Sequence, residues 1–179
     1  MDDVFLDEMY IYINRLNLGP IRIGADEISY ILHIIIRYEI ERDLINGNIN
    51  VDDLPKIWNQ KYMDYLGVNI TDDKDGILQD IHWASGNFGY FPAYALGSLN
   101  AAQLEAAMRR DHHDLNHRFA SGDFAIPAIW MEERVYKYGA IYDTPDLMKK
   151  ATGNETGAHD FLNYLNSKYT KIYDHLNKI

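Results

Sequence analysis

Along most of this chain apolar residues recur at spacings of three and four, the period of helices buried on one side. Between Asp26 and Asn46 the set is Ile28, Ile31, Leu32, Ile35, Ile36, Ile40 and Leu44. Tyr30, Ile34 and Tyr38 widen that stripe, so the pattern predicts a helix covered over much of its circumference, with Gly47 ending it in a left-handed conformation. A second helix is expected to open at Asp52-Asp53-Leu54-Pro55, an acidic cap followed by proline in the first turn. It continues through Ile57, Trp58, Tyr62, Tyr65 and Leu66 to Gly67.

Beyond the turn-rich stretch Asp72-Asp73-Lys74-Asp75-Gly76, Ile77 to Trp83 reads as a short helix. Gly86 and Gly89 interrupt before Pro92 opens a long helix that runs to about Arg110. Asp123 to Tyr138 carries Ile126, Ile129, Trp130 and Val135, a further helix. Asp143-Thr144-Pro145 begins another, with threonine as cap and proline at the first position. Thr156 or Gly157 begins the last, whose apolar face is Phe161, Leu162, Leu165, Tyr169, Ile172, Tyr173 and Leu176. Ile21-Arg22-Ile23 is the sole extended candidate, and no run reads clearly as a strand pair. The expected fold class is all-α, a helical bundle-like array in a single domain over residues 1–179.

Composition narrows the chemistry. Seventeen basic against 27 acidic residues give a formal charge of −10, a field that repels phosphate backbones and anionic lipid, so nucleic acid and membrane surfaces are not expected partners. Without cysteine the chain has no disulfide, thiolate metal site or cysteine nucleophile. The longest apolar stretch, Ile28 to Ile36, is far too short to span a bilayer, and the acidic Met1-Asp2-Asp3 start is unlike a secretion signal. The expectation is a soluble, cytoplasmic protein.

Two segments carry a resemblance. Ile21-Arg22-Ile23-Gly24-Ala25-Asp26 matches the IRxxAD pattern, and Gly76-Ile77-Leu78-Gln79-Asp80-Ile81-His82-Trp83 the GxxQDxHW pattern, of the thermostable-type (Taq-type) zinc metallocarboxypeptidases. The likeness continues through Leu32-His33-Ile34, Arg37-Tyr38-Glu39, Asp53-Leu54-Pro55, Trp58-Asn59, Phe88-Gly89-Tyr90-Phe91-Pro92 with Tyr94, Ala101-Ala102-Gln103 and Tyr164-Leu165. The sequence thus resembles the C-terminal part of that family. Gly24 departs from it, standing where glutamate is common. The larger departure is that HExxH, whose two histidines hold zinc while the glutamate activates water, is absent, and the 20 residues before Ile21 contain no histidine. Zinc belongs to the family; none is expected on this chain.

The resemblance also implies roles. Arg22 would lie in the groove that meets the substrate's C-terminal end, where a guanidinium fork suits a free carboxylate. Read from the sequence alone, Arg22 is a surface arginine paired with Asp26 or Glu27. Asp26, Gln79, Asp80 and Trp83 fall with Arg22 on the substrate-binding side; Gln79 and Asp80 orient neighbours by hydrogen bonds, and Trp83 is pocket wall or core. His82 and a tyrosine, Tyr94 in preference to Tyr90, would face the scissile carbonyl, because a phenol donates to a developing oxyanion without ionising near neutral pH. Most of the 14 tyrosines must be packing residues. His33 is expected to be buried and hydrogen-bonded.

Three readings follow. In the first, a separate HExxH-bearing N-terminal polypeptide completes the enzyme, peptide C-termini are the substrate, and this chain alone is inactive. In the second, the chain is a non-catalytic remnant acting as an interaction module or without function. In the third, His113 and His117, one helical turn apart in His113-Asp114-Leu115-Asn116-His117, chelate a divalent ion in an independent hydrolase. The third ranks last, since Arg109 to His117 is dense with charge and reads as a solvated helix face. Family members are typically homodimers, so a homo-oligomer is expected.

Overall fold

The structure is a computed structural model that describes residues 3–176, and the side chains of residues 6–174. The expectations placed on Met1-Asp2-Asp3 and on the side chain of Leu176 lie outside that description. Among the described residues there are eight α-helices, three short 3₁₀ turns and no strand, as the all-α reading requires. No helix among them is long and apolar enough to cross a membrane. The chain divides into two compact units, Met1–Ala95 and Leu96–Ile179.

The first unit contains α1 (Asp3–Ile13), α2 (Glu27–Ile45) and α3 (Leu54–Leu66). Leu54, Trp58, Tyr62 and Leu66 recur every fourth position of α3, forming one stripe that packs with Ile36, Ile40 and Ile70. Trp58 and Tyr62 stack at 5.1 Å between ring centroids. Side chains of this size each contribute about 1.5–3 kcal/mol on full burial, so this cluster is the chief apolar support of the unit. Gly47 and Gly67 sit at φ +71° and +66° just past their helices, the left-handed stops anticipated. At the head of α3, Pro55 lies in the first turn, but Asp53 makes no side-chain cap bond. A 3₁₀ turn over Val51–Asp53 leads into the helix instead.

Two local expectations fail here. Of Ile21-Arg22-Ile23 only Ile21 is extended (φ −96°, ψ 115°); Arg22–Gly24 forms a 3₁₀ turn. Ile77 to Trp83 is not helical but a succession of turns, with Leu78 N–H donating to Asp73 O at 2.9 Å and Gln79 N–H to Gly76 O at 3.1 Å. Its apolar residues share no face: Ile77 packs on the core, whereas Leu78 and Ile81 are 70% and 75% exposed. Polar anchoring of Gln79 and Asp80 outweighs helix propensity in this stretch.

The second unit contains the greater part of α4 (Pro92–Asp111), with α5 (Leu115–Ala120), α6 (Ala125–Arg134), α7 (Thr144–Thr152) and α8 (His159–Leu176). Ala107, Met108, Leu115 and Trp130 form its buried cluster. The helix expected through Tyr138 stops at Arg134, because Val135 leaves helical geometry (φ −127°, ψ −64°) before a 3₁₀ turn at Tyr136–Tyr138. The cap of α7 is Asp143 rather than Thr144; its carboxylate accepts the N–H of Asp146 at 3.3 Å. In α8, Phe161, Tyr169 and Ile172 are buried, whereas Leu162 and Tyr173 face out. His113 and His117 do not share a helix: α4 ends at Asp111 and α5 begins at Leu115, leaving His113 in the turn.

Candidate functional site

The site is built within the first unit from the 3₁₀ turn at Arg22, the inward face of α2, the turns at 76–83 and the start of α4. Arg37 occupies a position where the apolar stripe of α2 would otherwise continue, between Ile36 and Ile40. Its side chain is fully buried. A buried guanidinium must be paired and hydrogen-bonded, and this one is. Nε donates to Asp80 Oδ2 at 2.6 Å and Nη2 to Gln79 Oε1 at 2.8 Å. Nη1 donates to His33 O at 2.8 Å and to the Tyr62 hydroxyl at 3.0 Å.

Arg22 lies on the other side of the same carboxylate. Its Nε and Nη2 donate to Asp80 Oδ1 at 3.1 and 2.7 Å, and its Nη1 donates to the Tyr30 hydroxyl at 3.2 Å. It sits over the Tyr94 and Phe91 rings at 5.1 and 5.7 Å. Arg22 is therefore neither on the surface nor paired with Asp26 or Glu27; its partner is Asp80. Burial pushes the Asp80 carboxyl up, but the hydrogen bonds and positive charge of Arg22 and Arg37 outweigh that and hold its pKa below the ordinary value. For Arg22, burial is likewise overcome by Asp80 and Tyr30, and its pKa is raised.

Gln79 ties these groups to the backbone. Its Oε1 accepts both the Arg37 Nη2–H and the backbone N–H of Arg22, the latter at 2.9 Å. Its Nε2 donates to Pro20 O and Asp75 O, each at 2.9 Å. His33 is buried as expected, with Nδ1 2.9 Å from the Tyr62 hydroxyl. Burial first, and Arg37 second, lower its pKa to about 4, so it is neutral at neutral pH.

His82 Nε2 and the Tyr94 hydroxyl are 3.1 Å apart. His82 Nδ1 is buried without a hydrogen-bond partner, 3.9 Å from Asp80 Oδ1. Burial, with Tyr90 next, raises the pKa of Tyr94, so its phenol keeps its proton. Tyr90 is half exposed, with its ring 5.6 Å from that of His82. Trp83 donates from Nε1 to Glu41 Oε2 at 2.7 Å, and the N–H of Gly89 donates to the other oxygen of the same buried carboxylate. Asp26 stands apart from the arginine cluster: it caps α2 through Ile28 and Ser29 and accepts from Asn17 N–H.

Of the residues singled out from the sequence, Arg22, Gln79, Asp80, His82 and Tyr94 are brought together. Asp26 is spent on the helix start, and Trp83 on Glu41. Sequence reasoning gave no role to Arg37, Tyr62, Tyr30 or Glu41. Arg37 had a readable signal, an arginine embedded in an apolar stripe.

A model of the family described as carboxypeptidase Taq (M32) metallopeptidase matches residues 1–169. The chain belongs to the carboxypeptidase Taq family. It is 44% identical over 171 residues to carboxypeptidase 1 of Bacillus subtilis (strain 168), covering 96% of this chain and 34% of that one. To thermostable carboxypeptidase 1 of Thermus thermophilus it is 40% identical over 173 residues, covering 97% and 34%. Among solved structures, an M32 carboxypeptidase from Deinococcus radiodurans R1 superposes with a TM-score of 0.92 at 37% identity, covering 94% of this chain and 34% of that one. The chain thus spans about a third of the length of these carboxypeptidase relatives, corresponding to their C-terminal third. The metal implied by the family does not fit the residues present. Among the described residues no three His, Asp or Glu side chains converge as a metal-holding group, and the sequence has no HExxH.

Proposed function

We propose that this chain supplies the carboxylate-recognising part of a metallocarboxypeptidase that removes C-terminal amino acids from peptides, and that the HExxH-bearing segment lies outside it. The observation that carries this is the sharing of Asp80 between Arg22 and Arg37. Two guanidinium groups against one carboxylate leave the hydrogen-bonded cluster one positive charge in excess. In a poorly solvated setting that excess favours a bound anion of single charge, which the α-carboxylate of a peptide provides. Of the two arginines Arg22 is the one that reaches solvent, at 7% exposure, and two of its five N–H groups remain unengaged. Tyr94, whose phenol keeps its proton, would donate toward the scissile carbonyl. His82 would hold that hydroxyl through Nε2.

The test is titration of the purified chain with an N-acetyl dipeptide and with its C-terminal amide. The free carboxylate is expected to bind at least about tenfold more tightly, with the difference lost in Arg22→Met. Equal binding of acid and amide, or no effect of Arg22→Met, would sink the reading.

A further inference from the structure

The geometry points to Arg37 as a positioning residue that fixes both the backbone and the guanidinium of Arg22, and so sets the carboxylate clamp without touching ligand. This inference rests on the carboxylate reading of Arg22. Arg37 has no exposed surface, so direct contact with a substrate is closed to it. It reaches Arg22 by two routes. One runs through Asp80: Arg37 Nε occupies Oδ2, and the other oxygen faces Arg22 Nε and Nη2. The other runs through Gln79: the oxygen that accepts Arg37 Nη2 also accepts the backbone N–H of Arg22. A side chain held at one point can pivot, whereas one held at its backbone and its head cannot. Misplacement by about half an ångström to one ångström is costly where a bidentate ion pair must form.

Arg37 is itself held from behind. Nη1 donates to His33 O, one turn earlier on α2, and to the Tyr62 hydroxyl, which projects from α3. The Trp58 ring lies 4.6 Å beneath the guanidinium. That hydroxyl also contacts His33 Nδ1. With Arg37 Nη1 at 3.0 Å and Gln79 Nε2 at 3.5 Å both donating to it, the hydroxyl's own proton is directed to His33. The packed pair α2 and α3 is in this way connected to Arg22 on a 3₁₀ turn that has little apolar support of its own.

A purely structural Arg37 would matter for stability alone, so the test reads Arg22 directly. The Arg22 side-chain Nε–H is followed by NMR hydrogen exchange in the full chain, in wild type, Arg37→Lys, Tyr62→Phe and the core control Ile40→Val. Dissociation constants for an N-acetyl dipeptide are measured on the same samples. The expected result is exchange of the Arg22 Nε–H at least about tenfold faster in Arg37→Lys and several-fold faster in Tyr62→Phe, with weakened dipeptide binding in both. Ile40→Val, destabilised through the same helix, is expected to leave both readouts at wild-type values. Wild-type exchange and affinity in the folded variants would overturn the proposal, as would equal acceleration in Ile40→Val. If Arg37→Lys does not fold, Tyr62→Phe decides. A wild-type chain that fails to bind the dipeptide would end the carboxylate reading, while the exchange comparison would still decide whether Arg37 positions Arg22.

Discussion

Asp80 Oδ2 accepts the Nε–H of Arg37 at 2.6 Å, at a place where Arg37 has no access to water. Because Asp80 also pairs with Arg22, its removal strands two guanidinium groups at once. Asp80→Ala is therefore expected to lower the unfolding free energy by about 3–5 kcal/mol, the cost of leaving a buried charge unpaired. Asp80→Asn retains the shape and one acceptor oxygen and should lose less. Urea denaturation compares the two; equal losses would show that the charge, rather than the shape and acceptor oxygen that asparagine retains, is what matters there.

His33 gives the stability a pH dependence of known sign. The folded chain holds its pKa at about 4, against 6.5 ordinarily, through burial and then the charge of Arg37. Between those values the unfolded chain binds more protons than the folded one, so stability rises with pH. The contribution is fully present above about pH 6.5 and lost as pH falls toward 4. A shift of this size corresponds to about 3 kcal/mol. Asp80, with its lowered folded pKa, adds a loss of the same sign below the ordinary carboxylate range. Unfolding measured from pH 4.5 to 7.5 should show the slope in the wild type and a flatter one in His33→Leu.

Trp83 donates to Glu41, a carboxylate with little exposed surface whose partners are N–H groups rather than a cation. Trp83→Phe keeps the ring against Phe91 but removes that donor. A hydrogen bond to a charged group is worth about 1.5–3 kcal/mol, and a loss in that range is expected in chemical denaturation. A loss near zero would mean that water replaces the indole N–H.

The helices were legible because periodicity and glycine stops report local energetics: α2 and α3 lie where Ile28 to Leu44 and Pro55 to Leu66 place them. The stretch Ile77–Trp83 was misread because its conformation is decided by partners distant in sequence. Gln79 and Asp80 answer to Arg22 and Arg37, 57 and 43 positions away for the bonds Arg22 N–H to Gln79 and Arg37 Nε–H to Asp80. The motifs located the site, but their pairing was not readable. Without the motif, Arg22 reads as paired with a near neighbour, Asp26 or Glu27, and the carboxylate of Asp26 is taken by N–H groups at the start of α2. The pair His113 and His117 looked like a chelate only on the assumption of an unbroken helix, which ends at Asp111.

That break bears on metal and activity. The purified chain, supplied with zinc and then desalted, is expected to retain well below one equivalent and to leave a blocked dipeptide intact. His113→Ala and His117→Ala should change neither result, since the chain lacks a converging set of donors among its described residues. Stoichiometric zinc with turnover, abolished by His113→Ala, would revive the independent hydrolase.

Gly24 offers a change that separates the clamp from its scaffold. It stands in the 3₁₀ turn beside Arg22, outside the left-handed region, and a Cβ built on it meets nothing within 4 Å. No steric or conformational reason demands glycine there, and glycine costs more chain entropy on folding than alanine. Gly24→Ala is expected to stabilise the chain by about 0.4–1 kcal/mol through the unfolded state. The Arg22 Nε–H exchange should slow no more than this stabilisation accounts for, because Arg22 is held by Asp80 and Gln79 rather than by its neighbour in sequence. Thermal and urea unfolding measure the first effect and NMR the second. Destabilisation would show that the turn uses the freedom of glycine after all.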